Sequence, residues 1–279
     1  MMKKFTVLLL TGALVFGCAS CGASKDNTDA NDTVAEGTEG AEQETNVEET
    51  TQPAETESET IEDGAEAAGA EVMSYADFIA ADLDTEVVVE TYVQAKQSWW
   101  EDKATVYTQN EDGAYFLYNM TCAEADYELL TPGTKIRVTG YKSEWSGEVE
   151  IVDATFEIID GNYVAAAKDV TDLLGTDELI DSQNQFVSFT DMTVEAANDN
   201  GDAFLYNWDG SGEEGSDLYF NVSSNGATYT FTVESYLCGP GTDVYEAVKA
   251  LNVGDTVDME GFLYWYEGVN PHITSVTVK

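Results

Sequence analysis

The chain spaces its glycines seven apart, and does so twice. Gly133, Gly140 and Gly147 mark the first series, and Gly254, Gly261 and Gly268 repeat it about 120 residues later. In the first series Ile136 and Val138 alternate with Lys135 and Arg137, and in the second Val257 and Met259 take the apolar places. Alternation of that kind is the period of a strand with one face buried. Glycine inside such a strand marks a sharp bend or a close backbone crossing. The repeat therefore predicts one small β-domain made twice.

The surrounding elements follow the same order in both halves. Ser74 caps a short helix from Tyr75, with Asp77 placed three residues on. Glu86–Gln97 reads as a long strand, Lys103–Asn110 and Ala114–Thr121 as a hairpin through Asp112-Gly113, and Glu124–Leu130 as a short helix stopped by Pro132. Thr134–Thr139 and Glu148–Ile158 complete the first set. The second half retraces it. Val170–Leu174 matches the leading helix and Gln185–Ala196 the first strand. A hairpin turns at Asn225-Gly226, Thr242 caps a helix carrying Val244, Val248 and Leu251, and Ile273–Val278 closes the chain. Asn198–Ser216 is inserted in the second half only. Strand, hairpin, helix, two strands is the order of an OB-fold, a five-stranded Greek-key barrel. The expected class is mainly β: two tandem OB-like barrels, over 72–161 and 162–279. SH3-like barrels are the main alternative, and the helices before Gly133 and Gly254 count against them.

The first 71 residues read differently. Met-Met-Lys-Lys and the apolar run Phe5–Gly17 form a secretory signal, too short to span a membrane. Cys18 follows Leu14-Val15-Phe16-Gly17, and Cys21 follows Cys18-Ala19-Ser20. A small residue before a cysteine there resembles a bacterial lipobox. It implies a signal peptide over 1–17, acylation at Cys18 (Cys21 being the alternative) and anchoring to the membrane outside the cytoplasm. Residues 18–71 are rich in Glu, Thr, Ala, Gly, Asp and Asn, with no aromatic residue and one lysine, which predicts a disordered acidic tether. The whole chain bears a net charge of −43. Such a field repels polyanions, so the expectation from charge alone is that nucleic acid is not a general partner.

With the lipobox, the Thr/Glu tether, Trp99-Trp100-Glu-Asp, Gly113-Ala-Tyr-Phe-Leu-Tyr-Asn-Met120 and Gly140–Ile151 together, the chain resembles tandem OB-fold lipoproteins of Gram-positive gut anaerobes. The resemblance implies a surface binding or scaffolding module and supplies no catalytic residues.

Enzymatic signals are sparse. His272 is the only histidine, at the start of a strand, where a surface or strand-edge role is the ordinary one. Cys122 and Cys238 occupy matching places in the repeats and read as two buried thiols. The acidic loops Asp199–Asp202 and Asp209–Asp217 offer oxygen ligands without EF-hand order, and read as solvated turns. No cofactor, metal or catalytic residue is assigned. The candidate ligand face lies on the first barrel: Lys96, Trp99, Trp100, Lys103, Lys135, Arg137, Lys142 and Trp145. Aromatic planes among cations hold single strands, and such planes also stack on sugars. The expected function is a non-catalytic module for a saccharide, peptide or protein. Single-stranded nucleic-acid binding by the first barrel, or a spacer role, is the alternative.

Overall fold

The computed structural model describes residues 71–279. The signal segment, Cys18, Cys21 and the tether up to residue 70 lie outside the described residues. α1 (Tyr75–Ala80) starts on Ser74, whose hydroxyl accepts the Asp77 N–H at 3.1 Å. β1 (Glu86–Lys96), β2 (Lys103–Gln109) and β3 (Ala114–Thr121) follow, then α2 (Glu124–Tyr127), β4 (Thr134–Trp145) and β5 (Glu148–Asn162). These five strands close into a barrel in the order β1-β2-β3-β5-β4.

The second half begins with β6 (Lys168–Asp169) and two 3-10 turns, Thr171–Leu173 and Asp177–Ser182. Then come β7 (Phe186–Glu195), β8 (Leu205–Tyr206), β9 (Leu218–Ser224), β10 (Ala227–Val233), α3 (Asp243–Lys249), β11 (Thr256–Phe262) and β12 (His272–Val278). The sheet runs β7-β11-β12-β10-β9, and a β7–β9 pairing closes it. Strand for strand this is the order of the first barrel. Two closed OB barrels, each with its helix between third and fourth strands, are the architecture that the sequence predicts.

The glycine pattern has a local cause. Gly133 and Gly254 open the fourth strands with φ of 93° and 94°, in the left-handed region where a side chain is strained. Gly140 and Gly261 sit at register shifts against the fifth strands. A Cβ on Gly140 would fall 2.8 Å from the Val152 carbonyl oxygen, and one on Gly261 2.8 Å from Ile273 Cα. The fourth strand bends through these points instead of stopping, so β4 runs on to Trp145, six residues past the predicted end.

Each barrel buries its own apolar core, one around Val87, Val106, Leu117, Ile136 and Ile151, the other around Phe189, Phe220, Phe231, Val257 and Ile273. A third cluster joins the two barrels. Tyr107 and Phe116, on the outer face of β2 and β3, pack with Phe262 of β11. Tyr107 stacks on Phe262 with centroids 4.5 Å apart. Burial of this aromatic surface draws the barrels together. Among the described residues no helix is long and apolar enough to cross a membrane.

Candidate ligand-binding groove

The loop between β1 and β2 is fixed at both ends. Trp100 and Lys103 exchange backbone hydrogen bonds, and Ser98 donates its N–H to the Tyr236 carbonyl at 2.8 Å. The indole N–H of Trp99 donates to the Cys122 carbonyl at 2.9 Å, which holds that ring against the barrel end. Trp100 is thereby turned outward and is 68% exposed. Lys103, Thr105, Tyr118 and Asn119 from β2 and β3 continue the surface, and Tyr236 of the second barrel forms the far wall. Tyr118 and Tyr236 are 46% and 65% exposed. The result is an open groove of about 350 Å³ at the β2–β3 surface and first loop. Lys103 has no ion-pair partner among the described residues.

Only two of the eight residues singled out in the sequence, Trp100 and Lys103, line this groove. Lys96 lies over the Tyr127 ring, 3.6 Å from its centroid, and donates to the Tyr127 carbonyl. Lys135 and Arg137 both pair with Glu90, at 2.7 Å each. The β1–β4 register places Arg137 opposite Glu90, and the two cations hold that carboxyl below the usual range. Lys142 is buried and donates to the carbonyls of Ile79 and Ala81 at 2.8 and 2.7 Å, so it caps the C-terminal end of α1 and presents no charge to a ligand. Trp145 is half-exposed, edge-on to Tyr266 at 5.6 Å, and belongs to a neighbouring cavity.

Tyr118 and Tyr236 also line the groove, and the sequence does not single them out. Alternation along β3 marks Tyr118 as outward, but nothing local distinguishes an exposed tyrosine from one covered by another domain. His272 departs from its expected surface place. It is buried between the barrels, stacked 4.2 Å from Tyr264, with Nδ1 2.6 Å from the Tyr107 hydroxyl. Burial pushes its pKa down to about 3 and that of Tyr107 well up. The ring is therefore neutral, and Nδ1 and the tyrosine hydroxyl share one hydrogen bond. Cys122 and Cys238 are free thiols, and burial pushes both up to about 11, away from thiolate reactivity. Among the described residues no group of three His, Cys, Asp or Glu side chains could hold a metal. In the acidic loops Asp202 and Asp209 accept hydrogen bonds from Asn198 and Ser211.

No family model matches the chain, and no curated protein matches it. Solved structures do. The p204 HINb domain aligns over 71% of this chain and 100% of its own, at 12% identity and a TM-score of 0.33. The Ifi202 HINa domain, in complex with 20bp dsDNA, aligns over 70% and 98%, at 13% identity and a TM-score of 0.31. A replication protein A heterotrimer bound to ssDNA aligns over 70% of this chain and 49% of that one, at 10% identity and a TM-score of 0.30. The barrel assignment stands on strand order, not on these scores. One expectation is corrected by them. Proteins matched here are described with DNA bound, against the expectation from net charge that nucleic acid is an unlikely partner. A net charge averages over the chain, whereas a ligand meets a local surface.

Proposed function

We propose that the protein is a non-catalytic binding module whose first barrel holds a chain of rings by stacking. The observation that carries this is the groove in which Trp100, Tyr118 and Tyr236 stand exposed around Lys103. The first loop and the β2–β3 face are the surfaces with which OB-folds take oligonucleotides and oligosaccharides. Single-stranded nucleic acid is the first reading. Each unpaired base offers a π-face to an aromatic ring, and Lys103 supplies a phosphate contact. The DNA named with the matched HIN and replication protein A structures agrees with it. An oligosaccharide is the second reading, favoured by Gln97, Ser98 and Asn119, whose uncharged groups suit sugar hydroxyls.

Titration with a short oligodeoxythymidylate and with neutral oligosaccharides, followed by tryptophan fluorescence, separates the two. Stacking on Trp100 quenches its emission, and Trp100→Ala weakens binding by about 1–3 kcal/mol. With one phosphate contact, nucleic-acid affinity falls with salt at a slope of about −0.7 on logarithmic axes. Sugar binding is nearly salt-independent. If neither ligand saturates at low salt, or Trp100→Ala binds as the native chain does, the groove is not the site.

A further inference from the structure

Next to the groove, across Gln97 and Tyr118, lies a second cavity of about 350 Å³ at the seam between the barrels. Tyr118, Trp145 and Tyr264 supply aromatic walls, and Glu150 and Glu234 supply carboxylates. Their placement follows from the strands. Val149 and Ile151 point into the first barrel, so Glu148 and Glu150 point outward, and the second barrel then covers them. Glu234 follows the last residue of β10. Its two oxygens accept the N–H groups of Tyr236 and Leu237 at 3.0 and 2.9 Å.

Glu150 is different. It is 7% exposed, lines the cavity, and has neither a hydrogen-bond partner nor an ion pair among the described residues. Its oxygens are not enclosed, so they face the cavity itself, where a donor can reach them. No lysine or arginine lines the cavity, and the imidazole of His272 at its edge is neutral. Burial raises the carboxyls of Glu150 and Glu234, the latter to about 7, so both gain from a nearby cation. Among the described residues no group of three His, Cys, Asp or Glu side chains could hold a metal ion, and both Glu234 oxygens already accept backbone N–H groups. An ammonium group needs only a carboxylate for its N–H donors and ring faces for its positive charge.

We propose that this seam cavity binds a small organic ammonium ion, with Glu150 as its counter-ion and Tyr118, Trp145 and Tyr264 as its walls. Tyr118 is common to both sites, but the inference does not rest on ring stacking in the groove, because Trp100 and Lys103 take no part in it. The test is calorimetric titration of the purified protein at pH 8 with cadaverine, with tetramethylammonium, and with calcium chloride. Cadaverine is expected to bind at one site, and more tightly than tetramethylammonium, which has no N–H to donate. Glu150→Gln removes a charge that no group of the fold pairs with, so the fold is kept, and cadaverine binding weakens about tenfold or more. Trp145→Ala, at a half-exposed position, also weakens it, whereas Trp100→Ala leaves it unchanged. The proposal is overturned if cadaverine fails to saturate at about 10 mM, beyond the millimolar range of weak sites. It is likewise overturned if Glu150→Gln binds as well as the native chain, or if calcium binds there in preference.

Discussion

The two barrels share every strand pairing and differ in what closes their ends. In the first, α2 is four residues long, has no side-chain cap and no fully buried residue, with only the half-buried Tyr127 set against the core. Closure comes from α1 instead, where Phe78 enters the core 4.9 Å from Tyr115 and Lys142 binds the last carbonyls. In the second, α3 occupies the α2 slot with Val244, Tyr245 and Val248 buried. The first loops differ as well. Residues 97–102 of the first barrel turn Trp100 to solvent, whereas residues 196–217 of the second fold back, add β8 to the sheet and tie Ser216 to the Tyr245 hydroxyl at 2.8 Å. A duplicated scaffold has thus kept its closure and lost the need for identical plugs. The surface freed in one copy is filled in the other.

The largest expected effect tests the exchange of plugs. Phe78→Ala leaves a cavity under Tyr115 and should lower stability by about 3–5 kcal/mol in urea unfolding. On α2, Glu124→Ala and Asp126→Ala should change it by less than about 0.5 kcal/mol, since neither side chain is buried or bonded. Equal effects from the two helices would mean that α2 closes the first barrel after all.

The seam sharpens the comparison further. After Gly147 comes Glu148; after Gly268, the matching place, comes Val269, packed against its own core. Glu148 is fully buried between the barrels, where one oxygen accepts the Trp265 N–H at 2.8 Å and the Gln183 amide at 3.2 Å. Its other oxygen and Asn184 Oδ1 are acceptors without donors. A proton on Glu148 supplies the missing donor, and burial pushes the carboxyl up to about 8. The folded state then holds a proton that the unfolded chain releases near pH 4.5, so stability falls as pH rises towards 8. Glu234 acts alike up to about 7. His272 acts oppositely, gaining stability between about pH 3 and 6.5, where only the unfolded chain is protonated. Above 6.5 the carboxyls alone remain. Stability should decline from pH 6.5 to 8, by at most about 1.4 kcal/mol per pH unit for each group. Glu148→Gln keeps the acceptor for Trp265 and provides a permanent donor. It should reduce the decline by about 1–2 kcal/mol over that range. An unchanged slope in thermal or urea unfolding would place the titration elsewhere.

What the sequence shows and hides follows from the range of the interactions. Strand order, the Asn225-Gly226 turn (φ 53° and 82°) and the caps at Ser74 and Thr242 are set by neighbours in the chain, and all were legible. The fate of the charged candidates was not. Lys135 and Arg137 alternate correctly with the core, yet only the β1–β4 register shows that Glu90 neutralises them. Lys142 is on a strand but belongs to a helix end more than 60 residues earlier. His272, Glu148 and Glu150 are buried by contact between barrels, which no periodicity within one barrel reports. The groove was half legible for the same reason: Trp100 and Lys103 lie in the first copy, Tyr236 in the second.

The smallest expected effect asks whether the missing cap is what keeps α2 short. Thr242 precedes α3 with φ −78° and ψ 149°, and its side chain accepts the Tyr245 N–H at 3.4 Å. Ala123 precedes α2 with φ −65° and ψ 150°, nearly the same backbone, but has no oxygen to offer. Thr242→Ala should cost about 1 kcal/mol. Ala123→Ser places a hydroxyl where the geometry already accepts one, and should gain about 0.5 kcal/mol. The gain is smaller than the loss because a firmer start to α2 would hold only the half-buried Tyr127 in place, whereas fraying of α3 loosens Val244, Tyr245 and Val248 together. Urea midpoints of the two variants, measured side by side, decide it. Should Ala123→Ser stabilise as much as Thr242→Ala destabilises, the two helices differ by their caps alone. If it gains nothing while Thr242→Ala still costs, it is the buried face that separates them.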